Sequence, residues 1–184
     1  MTNSTVDKIL DLAELQVRAG GYNSFSFREI SKEIGIKSAS IHYHFPTKTD
    51  LGVAVAKRYT QRFQTLLQQL GEQTQLPAER LSRYIDIFRA ALVRDQKMCL
   101  CGQLASESEV LPDQIRSATQ GFFHENLAWL RTEVFVAAGL SSEQATKHAA
   151  WLLASLEGAL LMSTVLEDNA VFEQIIADLD RLLR

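Results

Sequence analysis

The sequence predicts an all-α protein: an N-terminal three-helix unit with a helix-turn-helix, followed by a larger helical bundle, about nine helices in total. Three observations predict it. Apolar residues recur at helical spacing along almost the whole chain. Breakers are scarce, with 3 Pro and 9 Gly in 184 residues, and several of them stand where periodic stretches end. The stretch from Phe27 to Phe45 reads as two short helices around a tight turn.

Val6, Ile9, Leu10, Ala13 and Val17 share one stripe of a first helix, which Gly20 and Gly21 stop. Phe27, Ile30 and Ile34 mark the apolar face of a second, and Ser26 with Glu29 supplies a Ser-x-x-Glu capping box. Gly35 permits a sharp change of direction. Ile36 and Ile41 can then pack back, which leaves Lys37, Ser38, Ser40, Tyr43 and His44 on the outer face of a third helix. Pro46 breaks that helix, and Thr47 with Asp50 can cap a long fourth. Leu51, Val55, Tyr59, Phe63, Leu66, Leu67 and Leu70 stripe the fourth helix.

Pro77 opens the next helix, where Leu81, Tyr84, Ile85, Phe88, Ala91 and Leu92 keep helical spacing. A short segment runs from about Leu100 to Ser108. Pro112 takes a first-turn position in a helix that continues to Ala138 and ends at Gly139. Ser141 and Gln144 form another capping box, for a helix reaching about Glu167. A final helix carries Phe172, Ile175, Ile176, Leu179 and Leu182. The expected division is a helix-turn-helix domain over 1–47 and a helical bundle over 48–184, without a flexible joint.

Composition narrows the function classes. No charged n-region followed by an apolar h-region opens the chain, and the apolar stretch from Trp151 to Leu166 is short for a bilayer and contains Glu157. Two cysteines, two positions apart, make no disulfide framework. A cytoplasmic location and no membrane partner are expected. Residues 1–62 carry 9 Lys/Arg against 6 Asp/Glu, and the remainder 10 against 16, for the overall net charge of −3. The basic excess thus sits with the helix-turn-helix, where phosphate contacts would be local.

The run containing Ile30, Gly35, Ile36, Ile41, His44, Phe45, Lys48 and Leu51 resembles the tetracycline-repressor (TetR) family of bacterial transcription regulators. Ser31 stands where that family prefers Ala, and His42 where it usually has a Tyr that contacts the DNA backbone. The resemblance covers about the first fifty residues in detail and the rest by length and helical pattern. It implies a repressor that binds a near-palindromic double-stranded DNA operator as a homodimer. It also implies a small-molecule effector among the middle helices and dimerisation through the last two.

The DNA-contact candidates are Arg28, Lys37, Ser38, Ala39, Ser40, His42, Tyr43, His44 and Lys48. Arg28 can pair bidentately with a guanine edge, and Lys48 with a phosphate near a helix N-terminus. His42 and His44 add backbone contacts. Ser38 and Ser40 offer short hydroxyls, and Ala39 and Tyr43 can touch thymine methyls or sugar. The alternative for Arg28, Lys37 and Lys48 is plain solvated charge. Because the recognition helix spans about two turns, one copy reads few bases, which by itself calls for a dimer.

For the effector, the candidates are Tyr59, Phe63, Phe88, Cys99, Gln103, Phe122, Trp129 and Trp151, each of which can equally be core. Met98-Cys99-Leu100-Cys101 is similar to a family branch that senses electrophiles or oxidants through a thiolate, although that branch tends to have Gly where Met98 stands. Arg94 and Lys97 are near enough in sequence to lower a thiol pKa. No metal or cofactor is expected, since nothing completes a ligand set for the cysteines. An enzyme with Cys99 as nucleophile and His124 as base is the rival class, and a helical protein-interaction module is another; neither has a motif behind it.

Overall fold

The computed structural model describes residues 4–95 and 97–177. Leu179 and Leu182, expected on the last helix, lie outside the described residues, as does the Arg94 side chain. Among the described residues there are nine α-helices and no strand: α1 (Thr5–Gly20), α2 (Phe27–Ile34), α3 (Ser38–His44), α4 (Lys48–Gln73), α5 (Pro77–Asp95), α6 (Leu100–Ser106), α7 (Asp113–Trp129), α8 (Ser142–Leu166) and α9 (Asn169–Ile176).

Local chemistry sets most boundaries. Ser4 caps α1 and exchanges bonds with Asp7, and Gly21, at φ 81°, closes its other end. Ser26 Oγ accepts from Glu29 N–H at the start of α2, and Gly35 ends that helix in the left-handed region at φ 71°. Thr47 and Asp50 form the expected reciprocal cap on α4, with Asp50 N–H donating to Thr47 Oγ1 and Thr47 N–H to Asp50 Oδ2. Ser141 and Gln144 do the same for α8.

Two expectations need correction. Pro112 lies just ahead of α7 and not in its first turn, because its carbonyl accepts from Ile115 and Arg116 N–H. The helix expected to run unbroken to Ala138 changes to π winding over Leu130–Val136 before Gly139 turns the chain at φ 94°. Arg80, 5% exposed, is fastened there: it donates to the Glu133 carbonyl and carboxylate at 3.0 and 2.9 Å and to the Thr74 carbonyl at 2.9 Å. A guanidinium with this many acceptors stays buried without orphan donors.

Packing divides the chain into two compact units, residues 1–61 with 100–122, and residues 62–99 with 123–184. The division expected at residue 47 differs from it. The first half of α4 and the segment from α6 into α7 bury their apolar residues in the same core as α1–α3. That core includes Ile9, Ala13, Phe25, Ile30, Ile41, Leu51, Val55, Leu100, Leu104 and Ile115. Gly52 belongs to it by necessity, since a Cβ there would come within 2.6 Å of Ile115 Cδ1.

In the second unit, Tyr84, Phe88 and Leu92 line one face of α5, while α8 buries Leu152, Leu153, Leu156, Ala159 and Leu160. By length and composition α8 is apolar enough to cross a membrane, more so than the shorter stretch considered above. Its fully buried positions make it a core helix of this unit.

Candidate nucleic-acid interface and effector region

The helix-turn-helix is held from behind and open in front. Ile30 and Ile41 are completely buried, and Phe45 is 8% exposed, a core residue as its spacing suggests. Arg28, Lys37, Ala39, Ser40, His42, Tyr43 and His44 are all exposed, and Ser38 is half-buried at the start of α3. Tyr43 is 84% exposed, its ring set edge-on to that of the adjacent His44 at 5.1 Å. Apart from Ile41, the α3 residues therefore leave small hydroxyls, a methyl and rings accessible, and Arg28 on α2 is exposed as well.

His42 is more constrained than the sequence suggests. Its ring packs edge-on against Phe27 at 4.6 Å, and its Nδ1 lies 3.2 Å from the Pro46 carbonyl. A carbonyl only accepts, so Nδ1 carries the proton in that bond. Nε2 of the neutral ring is then an acceptor, and only the imidazolium offers a phosphate a donor.

Lys48 is also not extended. Its Nζ lies 4.8 and 4.7 Å from the ring centroids of Tyr22 and Phe25. Partial burial pulls its pKa down, and Glu107 and Glu29 partly restore it. Glu107 Oε2 in turn accepts from Tyr22 N–H at 3.1 Å. Arg58, another basic residue of this unit, is taken up by Asp11 at 2.8 Å and Glu14 at 3.5 Å, which ties α4 to α1. The basic excess of the first sixty residues is thus partly structural.

The effector candidates fall into both units. Tyr59, Gln103 and Phe122 lie in the first, where the Tyr59 and Phe122 rings meet at 5.7 Å and Gln103 donates to Glu107. Phe63, Phe88, Cys99, Trp129 and Trp151 lie in the second. Tyr84 is the hub there: Phe88 is at 5.4 Å, Phe63 at 6.1 Å and Trp129 stacks on it at 5.7 Å. Its hydroxyl donates to Asn126 Oδ1 at 2.8 Å. Trp151, in contrast, is half exposed on α8.

Cys99 and Cys101 are 3% and 0% exposed. Cys99 faces a carboxyl group, Glu157, which the sequence reading had not singled out. The imagined partner His124 is exposed on α7. A cavity of about 530 Å³ in this unit is lined by Leu92, Ser163, Thr164, Glu167 and Asn169. Another, of about 750 Å³, lies in the first unit between α4 and α7.

Two family patterns match the chain. The one described as bacterial regulatory proteins, tetR family, matches residues 9–55, and the C-terminal domain of LmrA/YxaF-like transcriptional regulators matches residues 77–178, more than half the chain. The chain belongs to the TetR family. It is accordingly a DNA-binding transcriptional regulator whose C-terminal domain is of the ligand-binding kind. A TetR regulator from Legionella pneumophila superposes with a TM-score of 0.94 at 33% identity, covering 100% of both chains. One from Agrobacterium tumefaciens gives 0.88 at 31% identity, over 96% of this chain and 95% of that one. The transcriptional regulator AcuR of Cereibacter sphaeroides is 30% identical over 150 residues, 77% of this chain and 68% of AcuR.

Proposed function

We propose that this TetR-family regulator is a cytoplasmic homodimeric repressor that binds a near-palindromic operator through α3 and is released by a small-molecule effector bound in its second unit. The observation that carries the DNA reading is the contrast along α3. Ile41 is fully buried while Ala39, Ser40, His42, Tyr43 and His44 are exposed beside Arg28. A seven-residue helix reads only a few base pairs, so specificity requires two copies. Arg28 reads a guanine edge; Lys37, His42 and His44 meet the phosphate backbone; Ser38, Ser40, Ala39 and Tyr43 touch bases, methyls and sugar. Lys48 contributes from the edge of the interface.

The dimer reading is supported by α8. Trp151, Leu161, Met162, Val165 and Leu166 are 48–73% exposed, and Trp151, Gly158, Leu161 and Val165 recur at helical spacing. A Cβ at Gly158 would meet nothing within 4 Å, so close approach by a second helix is open there. An apolar stripe of this size is covered by a partner in a soluble protein, and the partner argued for by the short α3 is a second copy of the chain.

The test is selection of bound fragments from a genomic DNA pool by the full-length protein at moderate salt. Enrichment of one near-palindromic motif is the expected result. A folded protein that enriches a single asymmetric half-site, or nothing, overturns the dimeric-operator reading.

A further inference from the structure

One acidic side chain in the second unit has no structural explanation. Both carboxylate oxygens of Glu157 are buried and have no hydrogen-bond partner among the described residues. Leaving such a group in an apolar setting is costly, and a helix of a soluble bundle has every apolar residue available for that position. Burial pushes its pKa from 4.5 to about 7, and the Cys99 thiol, which approaches without the geometry of a full hydrogen bond, offsets a little of the rise. Among the described residues, Tyr84 also feels its charge. Neither neighbour is a cation.

The surroundings give the orphan acid a direction. Thr164 follows Glu157 by seven residues, two turns along the same side of α8, and its Oγ1 is likewise buried and unpartnered. Ser163 Oγ beside it is in the same condition. Both serve as walls of the cavity of about 530 Å³, which the carboxylate of Glu167 also lines. Opposite, on α5, Tyr84, Phe88 and Leu92 recur every fourth residue, so they form one face. Leu92 lines the cavity, and Tyr84 lies within electrostatic range of Glu157. Along α8, therefore, the cavity wall at Thr164 and the buried, unsatisfied carboxyl group of Glu157 stand two turns apart, and along one face of α5 Leu92 at the cavity stands about two turns from Tyr84.

We infer that the effector of this regulator is an organic cation with an apolar or aromatic body, its charge held by Glu157 against the Tyr84 and Phe88 rings. The inference rests on the effector-responsive reading above and names the chemistry of that effector. A protonated amine or a quaternary centre supplies a counter-charge that neither Cys99 nor Tyr84 gives Glu157, and aromatic faces attract it further. The apolar body lies along Leu92 and the rings, and any polar group on it meets Ser163 and Thr164. Because the carboxyl group must ionise to hold a cation, binding expels a proton when Glu157 begins neutral.

The test is calorimetric titration of the full-length protein with three compounds: tetraphenylphosphonium and benzyltrimethylammonium as large and small permanent cations, and tetraphenylborate as the anion isosteric with the first. At least one cation is expected to bind, tetraphenylborate to bind at least tenfold more weakly than tetraphenylphosphonium or not at all, and Glu157→Gln to weaken the cation by tenfold or more. From pH 8 to pH 6 the parent's affinity for the cation should drop about tenfold, and that of Glu157→Gln should not change. The amide is nearly isosteric, and a melting curve of the variant checks that it folds. Equal binding of phosphonium and borate, binding unaffected by the substitution, or no binding of either cation overturns the inference. Operator release is scored separately on a DNA fragment recovered by selection. Glu157-dependent binding that leaves the DNA bound keeps the cation site and removes its role as inducer. Failure to recover any operator removes the regulator reading, while the calorimetry still decides the site.

Discussion

The Tyr22 backbone N–H donates to Glu107 Oε2 at 3.1 Å, a bond that joins positions 85 residues apart. It ties the turn ahead of the helix-turn-helix to the residue that follows α6. Gly21 makes the approach possible: a Cβ there would lie 1.7 Å from Glu107 Oε1, and its φ of 81° already favours glycine. The same carboxylate acts on Lys48. Cys99, beside Glu157, immediately precedes α6 in the chain.

Glu107→Ala should therefore cost about 1–3 kcal/mol, the usual range for a part-buried bond to a charged acceptor. Glu107→Gln keeps an acceptor for Tyr22 and should lose less than half as much in urea unfolding. If effector binding is transmitted through α6, Glu107→Ala should also bind operator yet respond to effector less than the parent in a DNA-release titration. An alanine variant with unchanged stability would remove the bond from the account.

Lys48 stands over two rings instead of reaching outward, which separates two effects of removing it. Loss of the cation–π contact should cost stability on the order of 0.5–1 kcal/mol. If the ammonium also faces a phosphate, Lys48→Ala should weaken binding to all DNA sequences alike and lower the slope of log K against log salt by about 1. Fluorescence anisotropy across a salt series reads the slope. A full slope with reduced stability would make Lys48 a support of the α2–α3 unit and not a DNA contact.

Breaking the exposed stripe of α8 should separate folding from operator binding. Leu161 and Val165 are 49% and 73% exposed in the single chain, so glutamate at either disturbs little within it. The double variant Leu161→Glu, Val165→Glu should sediment as a folded monomer and lose most affinity for a full operator. Its residual affinity should match that for an isolated half-site. A variant that remains dimeric would place the dimer contact on another face.

Much of this was legible in the sequence because it is local. Caps at Ser26, Thr47 and Ser141, the turn at Gly35 and the apolar stripes of α1 and α4 each depend on residues within a few positions of one another. What escaped was long-range or geometric. Nothing local announces that Leu100, Leu104 and Ile115 complete the core around α1–α3, that Lys48 folds over Tyr22, or that α7 changes winding at Leu130. Glu157 reads in sequence as one charge interrupting an apolar run. Its isolation appears only when the side chains around it are placed. One available signal was a single carboxylate in the middle of α8, the helix with the most continuous apolar sequence.

That same carboxyl group makes stability depend on pH in a definite direction. Its pKa is about 7 when folded, against an ordinary 4.5. Below the ordinary value both states hold the proton and Glu157 adds no pH-dependent cost. Between 4.5 and 7 the folded protein keeps a proton that the unfolded chain has released, so stability declines as pH rises through this window. Above it both states are ionised, and the full cost of burying the charge, on the order of 3 kcal/mol, remains. Cys99 and Tyr84 face the group but bring no positive charge to relieve it. Urea unfolding at pH 5 and pH 8 should show the parent losing more stability over this interval than Glu157→Gln, and the variant should be the more stable of the two at pH 8. Parallel pH curves for the two proteins would mean that Glu157 is solvated in the folded state and would take away the cost on which its role as an unsatisfied anchor depends.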